Sequence, residues 1–165
     1  MIEKYIQEYG QRLFHLCLKL ERNKTNAEEL YQETWIRVLK NFGSYKPEFE
    51  FYPWVTMVCV NCYRNLMKKR AFDSLFLSFT DNDAKDSYLE SIAHFDADSF
   101  ENDDLVKALK KLDDRLRLVI VLYYYERYTI EEIAKITGIK LGTVKSRLYN
   151  GRLELRGFME NERER

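Results

Sequence analysis

The chain is poor in residues that break helices, with two prolines and six glycines among 165 residues. Leu, Glu, Lys and Arg recur at helical spacing and no run alternates like a strand, so an all-α protein is predicted. Its three cysteines, an odd number, argue against a secreted disulfide framework. No apolar run reaches the length of a membrane span, and the start Met1-Ile2-Glu3-Lys4 has no signal-peptide core, so a cytoplasmic protein without membrane insertion is expected. Only two histidines occur, no serine, histidine and acid set suggests a hydrolase, and no glycine-rich loop follows a strand. These absences point away from a hydrolase and from a nucleotide-binding glycine loop.

Net charge is also absent, but this zero hides a segregation. Residues 1–70 hold 12 Lys and Arg against 8 Asp and Glu, residues 71–104 hold 1 against 10, and residues 105–165 hold 14 against 9. The segments thus carry +4, −9 and +5. Two basic ends can approach phosphates while the acidic middle is repelled by them.

With 45% apolar residues the chain can bury one ordinary core or two small ones, and its pattern favours two. Ile2, Tyr5, Ile6, Tyr9, Leu13, Leu16, Cys17 and Leu20 describe a first amphipathic helix ending near Glu21. Asn23 to Asn26 predicts a turn, Ala27 to Asn41 a second helix closed by Gly43, and Pro53 the first position of a third helix running to about Arg70. From Ala71 to Asp104 the periodicity fades into Asp, Ser and Asn, as expected of an acidic flexible linker. It returns at Leu105, giving a second, four-helix unit.

The second unit holds the most informative stretch, Thr129 to Leu155. Thr129 and Glu132 form a capping-box pattern, Gly138 ends the short helix, and Ile133, Ala134, Ile139, Val144 and Leu148 supply the contacts of a helix-turn-helix. Thr143, Lys145, Ser146, Arg147, Tyr149, Asn150 and Arg152 then offer hydroxyl, amide and cationic donors to a major groove.

The third helix combines the aromatics Phe49, Phe51, Tyr52 and Trp54 with the basic run Arg64 to Arg70, a mixture suited to opened DNA. The alternative places Phe49, Phe51 and Trp54 in the core, and for Trp54 the core is favoured. Cys59 and Cys62 form a CxxC that would need His15 and Cys17 to complete a set of four zinc ligands, but His15 and Cys17, two apart on a helix, point about 200° apart. Buried thiols are the preferred reading.

Three blocks, Asn26–Trp35, Phe51–Asn61 and Leu112–Leu148, together resemble an extracytoplasmic-function sigma factor of the sigma-70 family, in the right order and with the acidic segment between. The resemblance implies a sigma2-like domain (1–70), a linker (71–104) and a sigma4-like helix-turn-helix domain (105–165). It implies a binding protein with no catalytic chemistry, cofactor or small-molecule substrate of its own, whose partners are bacterial core RNA polymerase, promoter DNA as duplex and melted strand, and an anti-sigma factor. By the same resemblance Glu29, Leu30, Gln32, Glu33 and Trp35 would engage the polymerase, and Tyr52, Asn61, Arg64, Lys68 and Lys69 the minus-ten element. Thr143, Lys145, Ser146, Arg147, Tyr149 and Asn150 would read the minus-thirty-five element. Asn65 and Asn26 stand where relatives commonly have Asp, and Tyr123 and Asn150 where some carry Arg. The rival readings are a stand-alone helix-turn-helix regulator and a thiol or zinc sensor built on Cys59 and Cys62.

Overall fold

The apolar period of the first twenty residues becomes α1 (Ile2–Leu20), which buries Leu13, Leu16, Cys17 and Leu20. The computed structural model describes residues 1–80 and 104–164, and no strand occurs among them. Asn23, expected in a turn, caps the next helix: its side-chain oxygen accepts the Asn26 N–H at 2.8 Å. That cap starts α2 (Lys24–Asn41) three residues earlier than expected. Gly43 falls in a short 3-10 turn, Phe42–Ser44, rather than directly closing α2.

Pro53 lies in the first turn of α3 (Phe51–Thr80), where its missing N–H interrupts no helical bond. The helix passes the expected end at Arg70 by ten residues because neither Gly nor Pro intervenes before Thr80. The rest of the acidic segment, 81–103, lies outside the described residues. Leu30, Val38, Val55 and Val60, all 0% exposed, join the α1 residues in the core of the first unit. Each such side chain stabilises the fold by about 1.5–3 kcal/mol through removal from water.

The second unit comprises α4 (Asp104–Lys111), α5 (Asp114–Tyr124), α6 (Ile130–Thr137) and α7 (Leu141–Arg163). Helices α5 and α7 approach closely at Gly151, where a Cβ would stand 2.8 Å from Ile120 Cγ1.

The two small cores expected from sequence are joined. α1 packs on α4 and α5, α3 packs on α6, and one buried cluster runs through both units. Arg117 of α5 sits at this junction, 0% exposed. Its Nε donates to the Leu20 carbonyl at 2.7 Å, Nη1 to the Leu112 carbonyl at 2.8 Å, and Nη2 to the Tyr63 hydroxyl at 3.1 Å. Asp114 supplies the compensating carboxylate, at 2.5 Å from Nη2. A buried guanidinium is tolerated only when satisfied in this way.

Candidate nucleic-acid interface

Local chemistry fixes the helix-turn-helix. Thr129 Oγ1 accepts the Glu132 N–H at 3.1 Å while the Glu132 carboxylate accepts the Thr129 N–H at 2.8 Å. Gly138 follows at φ 69°, a left-handed turn that a side chain would strain, and its N–H donates to the Ala134 carbonyl at 2.9 Å. Ile133, Val144 and Leu148 are buried beneath, with Ala134 and Ile139 partly buried.

This packing turns one strip of α7 outward. Lys145, Ser146, Tyr149 and Asn150 are exposed, with Thr143 and Arg147 half-buried beside them. Lys140 precedes α7 without a side-chain cap bond, so the positive end of the helix and Lys145 favour the same anionic surface. Some donors are already engaged. Ser146 Oγ donates to the Thr143 carbonyl at 3.1 Å, and Arg152 Nε to the Tyr124 hydroxyl at 2.5 Å. Burial, then the positive charges of Arg115 and Arg64, lowers the pKa of Arg147.

On α3 the minus-ten candidates divide. Asn61, Lys68 and Lys69 are exposed, and Asn61, Arg64, Asn65 and Lys68 recur at three- and four-residue steps along one stripe. Arg64, however, donates to the Thr137 carbonyl at the end of α6. Tyr52 is 4% exposed, with the Arg12 guanidinium 3.7 Å over its ring. It is therefore not an accessible base contact in this arrangement, and its burial pushes the phenol pKa up.

The aromatics expected to act together also separate. Phe51 is core and stacks on Tyr5 at 3.9 Å, while Phe49 is 65% exposed. Trp54, expected in the core, is only half-buried. It lines a groove of about 670 Å³ with Tyr45, Phe49 and Met57 on one wall and Tyr128 and Ile136 on the other.

Among the polymerase candidates, Glu29 and Gln32 are exposed, and Glu33 is half-buried and paired with Arg37 at 3.3 Å. Leu30 and Trp35 are core residues at 0% and 7% exposure, so they support the helix from beneath. Sequence reasoning missed Ile36 and Leu39, 45% and 55% exposed on the same helix. The step of three and four residues from Gln32 would have found them. Glu29 is also not free, since Arg70 bridges it at 3.3 Å and the buried Glu21 at 2.9 Å.

The cysteines face inward. Cys17 Sγ lies 3.9 Å from Cys59 Sγ, all three thiols are free and buried, and His15 is exposed. The zinc set is thus not assembled, and among the described residues no group of His, Cys, Asp and Glu is placed to hold a metal. Burial pushes Cys62 up to about 11, and the hydrogen bond with Cys59 followed by burial raises Cys17. Protonated thiols are poor ligands and nucleophiles.

Comparison with known proteins bears on both units. The family model for sigma-70 region 2 matches residues 5–72, and that for sigma-70 region 4 matches residues 102–155. The chain is 32% identical over 160 residues to the ECF RNA polymerase sigma factor SigE of Mycolicibacterium smegmatis, covering 95% of this chain and 61% of that protein. It is 29% identical over 161 residues to the ECF RNA polymerase sigma factor SigW of Bacillus subtilis, covering 90% and 83%. The fold is similar to the sigma factor RpoE in its complex with the anti-sigma factor NepR from Bartonella quintana. That likeness has a TM-score of 0.72, 21% identity and 96% coverage of each chain.

Proposed function

We propose a function from the premise that this chain belongs to the sigma-70 family, in its extracytoplasmic-function group. It is a promoter-specificity subunit that binds bacterial core RNA polymerase and directs it to promoters carrying minus-ten and minus-thirty-five elements. The observation that carries this reading is the pairing, in family order on one chain, of a region 2 match with a region 4 match. The polymerase supplies the chemistry, and this chain supplies binding and selection. An anti-sigma factor is the expected antagonist, as in the complex of the structurally similar RpoE.

The residues are assigned as follows. The exposed strip Lys145, Ser146, Tyr149 and Asn150, flanked by Thr143 and Arg147, reads the minus-thirty-five duplex. Asn61 captures a minus-ten base, since an amide can pair with a base edge, while Arg64, Lys68 and Lys69 follow the backbone. Glu29, Gln32 and Glu33 meet the polymerase, joined by Ile36 and Leu39 as apolar anchors and supported by Leu30 and Trp35. Each reader alone is weak. Tethering raises effective concentration only when both sites can be spanned together, so the free factor binds promoter duplex poorly and the polymerase sets the span.

Run-off transcription with bacterial core polymerase across a promoter library tests the assignment. Asn61→Ala and Lys145→Ala are each expected to lower transcription by about 5- to 150-fold, the worth of a specific contact of about 1–3 kcal/mol. Full activity from both variants would remove these residues from the promoter interface. Wild-type protein that gives no run-off product from any promoter would sink the function itself.

A further inference from the structure

We propose that Tyr124 is a positioning residue that aims Arg152 at the phosphate wall of the minus-thirty-five duplex, so that Arg152 grips the DNA backbone and does not read bases. This rests on the initiation-factor reading above, and it adds both residues to the interface assigned there. Arg152 of α7 is held at both ends. Its neighbour Gly151 lies against Ile120 of α5, so the close approach of the two helices fixes where the side chain starts. Its tip is tied back to α5, since Nε donates to the Tyr124 hydroxyl at 2.5 Å. The guanidinium carbon also stands 5.6 Å from the ring centroids of both Tyr123 and Tyr124, within the range of cation–π attraction. Those two rings meet edge to face at 4.9 Å, so each steadies the other.

The tie leaves the useful end of the side chain open. Nη1 and Nη2 make no hydrogen bond among the described residues, and together they match two oxygens of one phosphate. The partner is also neutral. No carboxylate pairs with Arg152 among the described residues, whereas Arg12, Arg37, Arg70 and Arg117 are each matched to Asp or Glu. Tyr124 therefore orients the guanidinium without cancelling its charge. A purely structural staple is the competing role, and the surroundings argue against it. Arg152 is exposed and Tyr124 is 49% exposed, so water competes for both groups and their bond adds little to stability. Helices α5 and α7 are in any case already joined at Ile120 and Gly151.

Position along α7 separates Arg152 from the base readers. Lys145, Tyr149 and Arg152 recur at four and three residues and so share one exposed face. A rise of about 1.5 Å per residue places Arg152 about 10 Å beyond Lys145, comparable with the major groove's width of about 12 Å. Recognition helices present their N-terminal residues to base edges. With Lys145 and Ser146 in that place, Arg152 falls at the edge of the groove among phosphates, where a cation adds affinity but no sequence information. An arginine already held in its bound direction loses less freedom on binding than one that is free to swing. Tyr124 thus raises affinity without touching DNA.

Holoenzyme assembled from the full chain and bacterial core polymerase, titrated across a salt series with promoter duplexes chosen by the run-off screen, tests both roles. Arg152→Ala is expected to weaken binding about tenfold, by the same factor on every minus-thirty-five sequence, and to reduce the slope of log affinity against log salt by about 0.9, the share of one phosphate. Tyr124→Phe keeps ring and charge but loses the hydroxyl, and should weaken binding about threefold to tenfold with the salt slope little changed. In an Arg152→Ala background Tyr124→Phe should have no further effect, because the hydroxyl acts only through that guanidinium. Thermal melting followed by circular dichroism should stay near the wild-type value for all three proteins. Tyr124→Phe that binds like the wild type, or that weakens binding equally with and without Arg152, overturns the positioning role. An unchanged salt slope in Arg152→Ala, or a loss that varies with the minus-thirty-five sequence, overturns the backbone grip. Wild-type holoenzyme that prefers no minus-thirty-five sequence overturns the initiation-factor reading, and the roles of Tyr124 and Arg152 fall with it.

Discussion

Gly151→Ala sets two calculable effects against each other within α7. Alanine in place of glycine inside a helix gains about 0.5–1 kcal/mol, because the unfolded chain loses less freedom on folding. At this position the new methyl would stand 2.8 Å from Ile120 Cγ1 and 3.0 Å from Cδ1. Both are well inside the optimal separation of about 3.5–4.0 Å. Ile120 is 2% exposed and belongs to the buried core cluster, and overpacking of this kind costs about 1–3 kcal/mol. The clash therefore prevails over nearly all of these ranges, by up to about 2.5 kcal/mol. Gly157 is the control: it lies on the same helix, and a Cβ there would meet nothing within 4 Å, leaving only the propensity gain. Thermal unfolding followed by circular dichroism should lower the melting temperature of Gly151→Ala and raise that of Gly157→Ala. The size of the shifts is also informative. One kcal/mol corresponds to about 2–4 °C if the chain melts as a single body and about 4–8 °C if the second unit melts alone. Adding Ile120→Ala to Gly151→Ala should cost less than the two changes taken separately, because the residues touch. A Gly151→Ala protein as stable as Gly157→Ala would refute the close approach of α5 and α7.

Three shorter predictions concern the other elements. Thr129→Ala should destabilise the second unit by about 1 kcal/mol in urea unfolding, whereas Thr129→Ser should keep most of the cap, because either hydroxyl can accept the Glu132 N–H. Native protein should show almost no thiol reacting with a disulfide reagent at neutral pH over minutes, and three after denaturation. Ready reaction of Cys59 or Cys62 in the folded state, or zinc that co-purifies and is lost in Cys59→Ser, would revive the sensor alternative. Ile36→Asp and Leu39→Asp, on an exposed face, should leave melting nearly unchanged but weaken binding to core polymerase by about tenfold or more; retained affinity in both would remove α2 from that interface.

The parts legible in the sequence are those that local chemistry determines. A capping box, a left-handed glycine and apolar steps of three and four residues lie within a few positions of one another, so Thr129 to Leu148 reads correctly without any tertiary knowledge. Boundaries were less legible where two signals overlapped. Asn23 suits both a turn and a cap, and the choice depends on its bond to the Asn26 N–H. The end of α3 was placed too early because the falling apolar period after Arg70 resembled a linker, although nothing there breaks a helix.

Arg117 was illegible for a different reason. Within RLRLVIVL it is the second of two arginines that precede an apolar run, and single-helix reasoning sends such residues to solvent. Its partners Leu20 and Tyr63 are 97 and 54 positions away, and Leu20 contributes only its carbonyl, which no side-chain pattern records. Two self-sufficient cores were therefore the natural reading, whereas one buried cluster runs through both units. The seam mixes two kinds of contact: leucines and valines of both units share one buried cluster, and Arg117 adds polar bonds to Leu20 and Tyr63 across it. The five consecutive buried apolar residues Leu118 to Leu122 make this part of α5 apolar all round, the sequence mark of a helix covered on more than one side. Arg117 is tolerated there because all three guanidinium nitrogens find partners, and loss of one partner would leave a buried charge less than satisfied.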